Sequence, residues 1–274
     1  MNDVFLDSNP VREIAQVTYD MWSKGWDEYN GGNISYLLDS QEVSLLKSNE
    51  LIENRFMDVT GIPDEMVGKY ILITASGSHF RTVKNCIKES MGVIKLLETG
   101  YQIVWGFEKG TLPTSEFYMH ILSHNARLKV DKKQKVVVHN HATNATALSL
   151  IVEPNDSAFT LPLWRVLTES IVVFPDGVGV LPWQTPGTEK IGKATAKKLL
   201  DSRIVIWSYH GILATGTSIQ DCFGLIETVD KAAGMYRNTL EHKNYDGLSD
   251  DQLRSVCEIL NVNPREDIFV NSKK

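Results

Sequence analysis

Val136-Val137-Val138 runs into His139-Asn140-His141, setting two imidazoles one residue apart at the end of a β-branched stretch. Strand side chains alternate between faces, so a strand here puts His139 and His141 on one face and Asn140 on the other. Such a pair can give a metal ion two ligands; on its own it fits two hydrogen-bonded core histidines equally well. His210 favours the metal, because it too follows an apolar run, Ile204–Trp207, and precedes a glycine that permits a tight bend. Three imidazoles at strand ends, with a fourth position open, suit a catalytic zinc. The spacing, two close and one distant, also fits a cupin-type iron site or a hydrolase.

Glu116, His120 and His124 recur every four residues and share one face of a helix predicted to start at Pro113-Thr114-Ser115-Glu116 and to run to about Leu128. The H-E-x-x-H signature of helical zinc proteases is missing, so His120 and His124 read as structural or surface residues. Glu116 differs, because the helix dipole favours a carboxylate at this end. Beside a metal-bound carbonyl such a carboxylate can remove a proton from the adjacent carbon. A routine first-turn acid has the same local signature. Asn30-Gly31-Gly32-Asn33 and Ala75-Ser76-Gly77-Ser78 are small-residue turns able to present N–H and hydroxyl groups to an anion, or simply to turn.

The elements that must carry these residues follow from periodicity and caps. Asn9-Pro10 opens a helix with Val11, Ile14, Val17, Thr18, Met21 and Trp22 at helical spacing. Ile34–Leu38 and Tyr70–Thr74 read as strands, and Val93–Leu97 and Gln102–Trp105 as a strand pair turning at Thr99-Gly100. Residues 40–68 read as a charged surface insertion with a short helix at most. Helices are expected over 143–152 and 159–168. Ile171–Phe174 and Val178–Leu181 are expected to form a hairpin around Pro175-Asp176-Gly177. A helix from Pro186-Gly187-Thr188 to about Leu200 leads to the strand Ile204–Trp207, which Ile212–Ala214 is expected to continue past a bend. Ser218 with Asp221 starts a helix to about Leu240, and Ser249 with Gln252 forms a capping box for a last one. The tail after Phe269 is expected to be mobile. A single mixed α/β domain follows.

The 274 residues carry a net charge of -6, which argues against non-specific binding to nucleic acid or anionic membranes. Lysines gather at Lys132, Lys133 and Lys135 and at Lys193, Lys197 and Lys198, and read as solvated surface. Cys86, Cys222 and Cys257 are far apart and odd in number, as expected of reduced thiols. The polar, early-charged N-terminus is no signal peptide, and no apolar run approaches the ~18 residues of a membrane span. A soluble cytoplasmic protein is expected.

Six strings occur in order: NGGNIS at 30–35, TASG at 74–77, PTSE at 113–116, VHNHATN at 138–144, VVFPDGVGVLPW at 172–183 and HGILATG at 210–216. Together they closely resemble the rhamnulose-1-phosphate aldolases, zinc-dependent class II members of the aldolase/adducin superfamily. The resemblance covers nearly the whole chain; residues 40–68 and the C-terminal tail carry little of it. It implies an α/β fold over residues 1–274 with a central, largely antiparallel sheet flanked by helices, assembled as a cyclic homotetramer. It also implies reversible cleavage of L-rhamnulose 1-phosphate to dihydroxyacetone phosphate and L-lactaldehyde, with one Zn2+ per subunit. Carried over by position, His139, His141 and His210 match the metal ligands and Glu116 the catalytic acid/base. Asn30, Gly32, Asn33, Ser76, Gly77, Thr114 and Ser115 lie in the motifs that hold the phosphate. Glu169 matches a second acid offered to a neighbouring subunit's site. Fuculose-phosphate aldolase and ribulose-phosphate 4-epimerase are the alternatives on the same scaffold. A metal-free interaction module, as adducin head domains are, is the non-enzymatic one; the intact histidines argue against it.

Overall fold

The protein is described from a computed structural model covering residues 3–46, 55–242 and 245–270. Its strands are β1 (Asn33–Leu37), β2 (Phe56–Asp58), β3 (Tyr70–Thr74), β4 (Met91–Leu97), β5 (Gly100–Gly106), β6 (Val136–Asn140), β7 (Val178–Leu181), β8 (Ile204–Trp207) and β9 (Gly211–Gly216). The α-helices are α1 (Asn9–Ser23), α2 (Ser40–Ser44), α3 (Ile87–Ser90), α4 (Phe117–Val130), α5 (Thr143–Leu148), α6 (Asp156–Val166), α7 (Thr168–Val173), α8 (Glu189–Lys198), α9 (Ile219–Thr239), α10 (Asp250–Leu260) and α11 (Asp267–Val270).

The β-branched valines of β6 pair on both sides, with β1 and with β9, at the middle of a sheet ordered β2-β5-β4-β3-β1-β6-β9-β8-β7. Each neighbouring pair is antiparallel except β7 with β8, so the sheet is largely antiparallel as expected. Both faces of β6 are covered. Val136 and Val138 share a core with α1, α5, α6 and α9, while Val137 packs with Met119 and Ala126 of α4 and Ile191 of α8. His139 has the parity of Val137 and therefore points to the α4 side. Farther along the sheet, α4 also supplies Phe117 and Ile121 to a third cluster with Ile71, Ile73 and Ile103.

Caps set the helix ends. Ser218 Oγ accepts from Asp221 N at the start of α9, and Ser249 and Gln252 close the expected capping box on α10. The thiols of Cys86, Cys222 and Cys257 are free.

Several expectations change. Residues 168–173 are helical, so Ile171–Phe174 makes no hairpin with β7, which instead pairs in parallel with β8. An uninterrupted apolar run carries no periodicity that separates strand from helix, and burial of Ile171 and Phe174, three apart, follows the helical period. Ile212–Ala214 does not continue β8 but returns beside it as the antiparallel β9. The reversal closes with His210 N donating to Trp207 O at 3.0 Å, and Tyr209 adopts φ +66°. The 40–68 stretch contributes β2 and the buried Met66 besides the helix α2, although its residues 47–54 lie outside those described. The helix after the histidine strand ends at Leu148 rather than 152, and the next one starts at Asp156 rather than 159. Helix α4 begins at Phe117, with Glu116 itself as N-cap. Of the tail expected to be mobile, residues 271–274 lie outside those described.

Candidate metal and sugar-phosphate site

β6 delivers His139 at its penultimate position, and His141 follows just past the strand end. The β8–β9 reversal brings His210 to the same place. Ring centroids lie 5.3 Å apart for His139–His141, 4.9 Å for His139–His210 and 5.1 Å for His141–His210. One nitrogen from each lies within 4.8 Å of the others, close enough for a single cation to meet all three.

The hydrogen bonds around the rings prepare that meeting. His139 Nδ1 is 3.0 Å from Ile212 O, an atom that only accepts, so Nδ1 carries the proton and Nε2 keeps its lone pair. His141 Nδ1 lies 2.6 Å from the Glu28 carboxylate, which has the same consequence. His210 Nδ1 is buried and has no partner among the described residues. Burial, reinforced by neighbouring imidazoles, pulls both His139 and His210 down to about 3, which keeps these rings neutral near pH 7. Trp207 underlies the cluster, its ring centroid 4.6 Å from His139 and 5.1 Å from His210, and is itself fixed by Nε1 donating to Thr195 Oγ1 at 2.9 Å. Neutral, oriented nitrogen donors with one orphaned buried nitrogen suit a divalent metal ion.

Glu116 Oε2 sits 3.6 Å from His139 Nε2 and accepts from Asn33 Nδ2 at 2.9 Å. The carboxylate therefore stands beside the imidazole cluster at the N-terminal end of α4, almost fully buried. A cavity of about 490 Å³ opens over it. Asn30, Gly32, Asn33, Ser76, Gly77, Thr114, Ser115, Glu116, His139, His141 and His210 all line it, so the structure gathers the residues singled out in the sequence with one exception. Glu169 is exposed on α7 and does not reach this cavity within its own chain.

Loop geometry explains the glycines. Gly32 has φ +82°, and a Cβ there would stand 2.2 Å from Asp27 Oδ1. Ser76 N is occupied by Leu112 O, whereas no protein acceptor among the described residues takes Gly32 N or Gly77 N. These N–H groups, with the Ser76 and Ser115 hydroxyls, can receive an anion.

Sequence reasoning missed Glu28, Trp207 and the Pro186-Gly187 wall of the cavity. Glu28 stands two residues before the Asn30 loop, but its partner His141 is 113 positions away, and no local pattern signals that contact. Of the two readings for His120 and His124, structural or surface, the second is excluded: both are buried.

The sequence profile of the Class II Aldolase and Adducin N-terminal domain matches residues 12–237. The chain belongs to this class II aldolase family. It is 41% identical over 275 residues to the rhamnulose-1-phosphate aldolase of Listeria innocua, covering 99% of this chain and 100% of that one. The rhamnulose-1-phosphate aldolase of Enterococcus faecalis is 40% identical over 259 residues, 93% of this chain and 92% of its own. Among solved structures, a sugar-phosphate aldolase from Thermotoga maritima superposes with TM-score 0.74 at 27% identity, covering 86% of this chain and 97% of that one. An L-fuculose 1-phosphate aldolase shares the fold at TM-score 0.63 and 21% identity. This class II aldolase is accordingly an aldehyde-lyase acting on a carbon–carbon bond.

Proposed function

We propose that the protein cleaves L-rhamnulose 1-phosphate reversibly to dihydroxyacetone phosphate and L-lactaldehyde, with zinc held by His139, His141 and His210. The observation that carries the reading is the convergence of three imidazoles beside the Glu116 carboxylate in one cavity. The identity near 40% to aldolases named for this substrate, over the whole chain, supports the sugar.

When bound, the ion supplies Lewis-acid stabilisation of the negative charge that the breaking carbon–carbon bond leaves on the ketose fragment. Every other task falls to the chain. Glu28 and Ile212 O hold two imidazoles in the tautomer whose free nitrogen faces the cavity. Glu116 returns a proton to the hydroxymethyl carbon of dihydroxyacetone phosphate in cleavage and removes it in synthesis. N–H groups of the Gly32 and Gly77 loops, with the Ser76, Thr114 and Ser115 hydroxyls, hold the phosphate without an arginine, which reconciles an acidic protein with an anionic substrate. Glu169 serves the cavity of an adjacent copy in a homotetramer, matching its exposed position outside its own. The chain works as a single catalytic domain in the cytoplasm; no described helix is long and apolar enough to cross a membrane.

A coupled assay for dihydroxyacetone phosphate over a panel of sugar phosphates tests the proposal. Release from L-rhamnulose 1-phosphate at a higher kcat/KM than from L-fuculose 1-phosphate is expected. Faster fuculose cleavage, or epimerised pentose phosphate without cleavage, would reassign the substrate.

A further inference from the structure

The face of α4 that carries Glu116 also carries His120 and His124, both buried and neither a member of the imidazole cluster. They are linked to Glu116 by an unbroken series of short hydrogen bonds. His124 Nε2 lies 2.8 Å from Ser35 Oγ, Ser35 Oγ 2.6 Å from His120 Nδ1, His120 Nε2 2.6 Å from Asn33 Oδ1, and Asn33 Nδ2 2.9 Å from Glu116 Oε2.

With Glu116 as the carboxylate, only one placement of protons satisfies the series. The Glu116 carboxylate only accepts, so the Asn33 amide turns its NH2 toward it and its carbonyl oxygen toward His120. That oxygen in turn requires a proton on His120 Nε2. Burial keeps His120 neutral, its pKa well below the usual histidine value, so Nδ1 accepts and the Ser35 hydroxyl donates to it. Ser35 Oγ, having given its one proton, accepts from His124 Nε2. Every donor points the same way, and the series ends on the carboxylate.

We infer that Asn33, His120, Ser35 and His124 form a polarised hydrogen-bond chain that holds the Glu116 carboxylate in position for its proton transfer. The chain carries no proton itself. It pins Oε2, leaving Oε1 without a protein partner among the described residues and free to meet substrate. Donors aligned head to tail strengthen one another, most of all in a dry interior. The four are positioning residues. The α4 spacing of Glu116, His120 and His124 and the β1 spacing of Asn33 and Ser35 supply the two rails that make the chain possible. This inference rests on Glu116 being the acid/base group proposed above.

Two experiments test it. Long-range ¹H–¹⁵N correlation on the histidine-labelled wild-type protein at neutral pH reads the tautomers directly, independent of activity. Both His120 and His124 are expected to be neutral with the proton on Nε2; a proton on Nδ1 of His120 breaks the chain and overturns the inference. Kinetics then test the consequence. His120→Leu should lower kcat by ~10- to 100-fold, the rate equivalent of a hydrogen bond to a charged group, with bound zinc and KM little changed. His120→Gln, whose amide can still donate to Asn33, should recover most of that loss. Equal kcat in wild type and His120→Leu, or loss of zinc together with kcat, refutes the positioning role. A Glu116→Gln protein with full kcat would instead overturn the acid/base reading, whatever the tautomers show.

Discussion

Glu116 and Glu28 are both carboxylates at the imidazole cluster, yet their surroundings assign them different work. Glu116 is 8% exposed and faces the cavity with one oxygen held by Asn33. Glu28 lies mostly in solvent and spends its contact on His141 Nδ1. Replacing Glu116 by Gln would remove the proposed proton transfer and leave the imidazoles untouched, so kcat should fall by roughly 10²- to 10⁴-fold while bound metal stays constant. Replacing Glu28 by Ala removes the acceptor that orients His141, so metal affinity should fall by roughly 10- to 100-fold in a chelator competition. The first residue was legible in the sequence from its place in PTSE at a helix start. The second was not, because an acid on an exposed loop has no local mark of the ring it will touch. For His120 and His124 the four-residue spacing was visible, but their partners Ser35 and Asn33 come from a distant strand, β1.

Among the elements, one loop, Gly25–Asn33, serves both the imidazole cluster and the small-residue turn that lines the cavity. Trp26 O accepts from His141 N at 2.9 Å, Glu28 holds the His141 ring, and Gly31 N closes a turn onto Glu28 O at 2.8 Å. Asp27 lies inside this loop, buried, with neither carboxyl oxygen hydrogen-bonded among the described residues. Burial, with a smaller contribution from Glu28, raises its pKa from 3.8 to about 8. The folded state therefore binds one more proton than the unfolded state between those values, and stability is lost as pH rises through that window. Asp27→Asn should remove this loss, raising the thermal midpoint at about pH 9 and having little effect near pH 4. Helix α9 docks by burying Leu225, Ile226, Val229 and Ala233, so Ile226→Ala should cost ~2–5 kcal/mol in urea unfolding. Elements with local signals were legible: β6 from its valines, α9 and α10 from their caps, β3 to the residue. Helix α7 and the β8–β9 reversal were not, since the apolar residues that close the first, 171–174, carry no period and the second depends on a left-handed Tyr209.

For the whole molecule, the site exists because the sheet order places β1, β6 and β9 side by side while α4 starts above them. Residues 33, 116, 139 and 210 meet there from four separate parts of the chain. No periodicity encodes such a meeting; the three imidazoles were suggested by their places at strand ends, and the rest was legible through the six ordered motifs, whose joint occurrence identifies the family. Cleavage is proposed to depend on an ion held by these three imidazoles. The most direct measurement is zinc per chain by elemental analysis, taken together with dihydroxyacetone phosphate release, for the wild type before and after chelation and for His141→Ala. One zinc per chain, activity lost on chelation and restored by zinc, and both lost in His141→Ala are the predicted results. Undiminished cleavage by a metal-stripped wild type, or by a fully active His141→Ala protein, would take the metal and its three imidazoles out of the reaction.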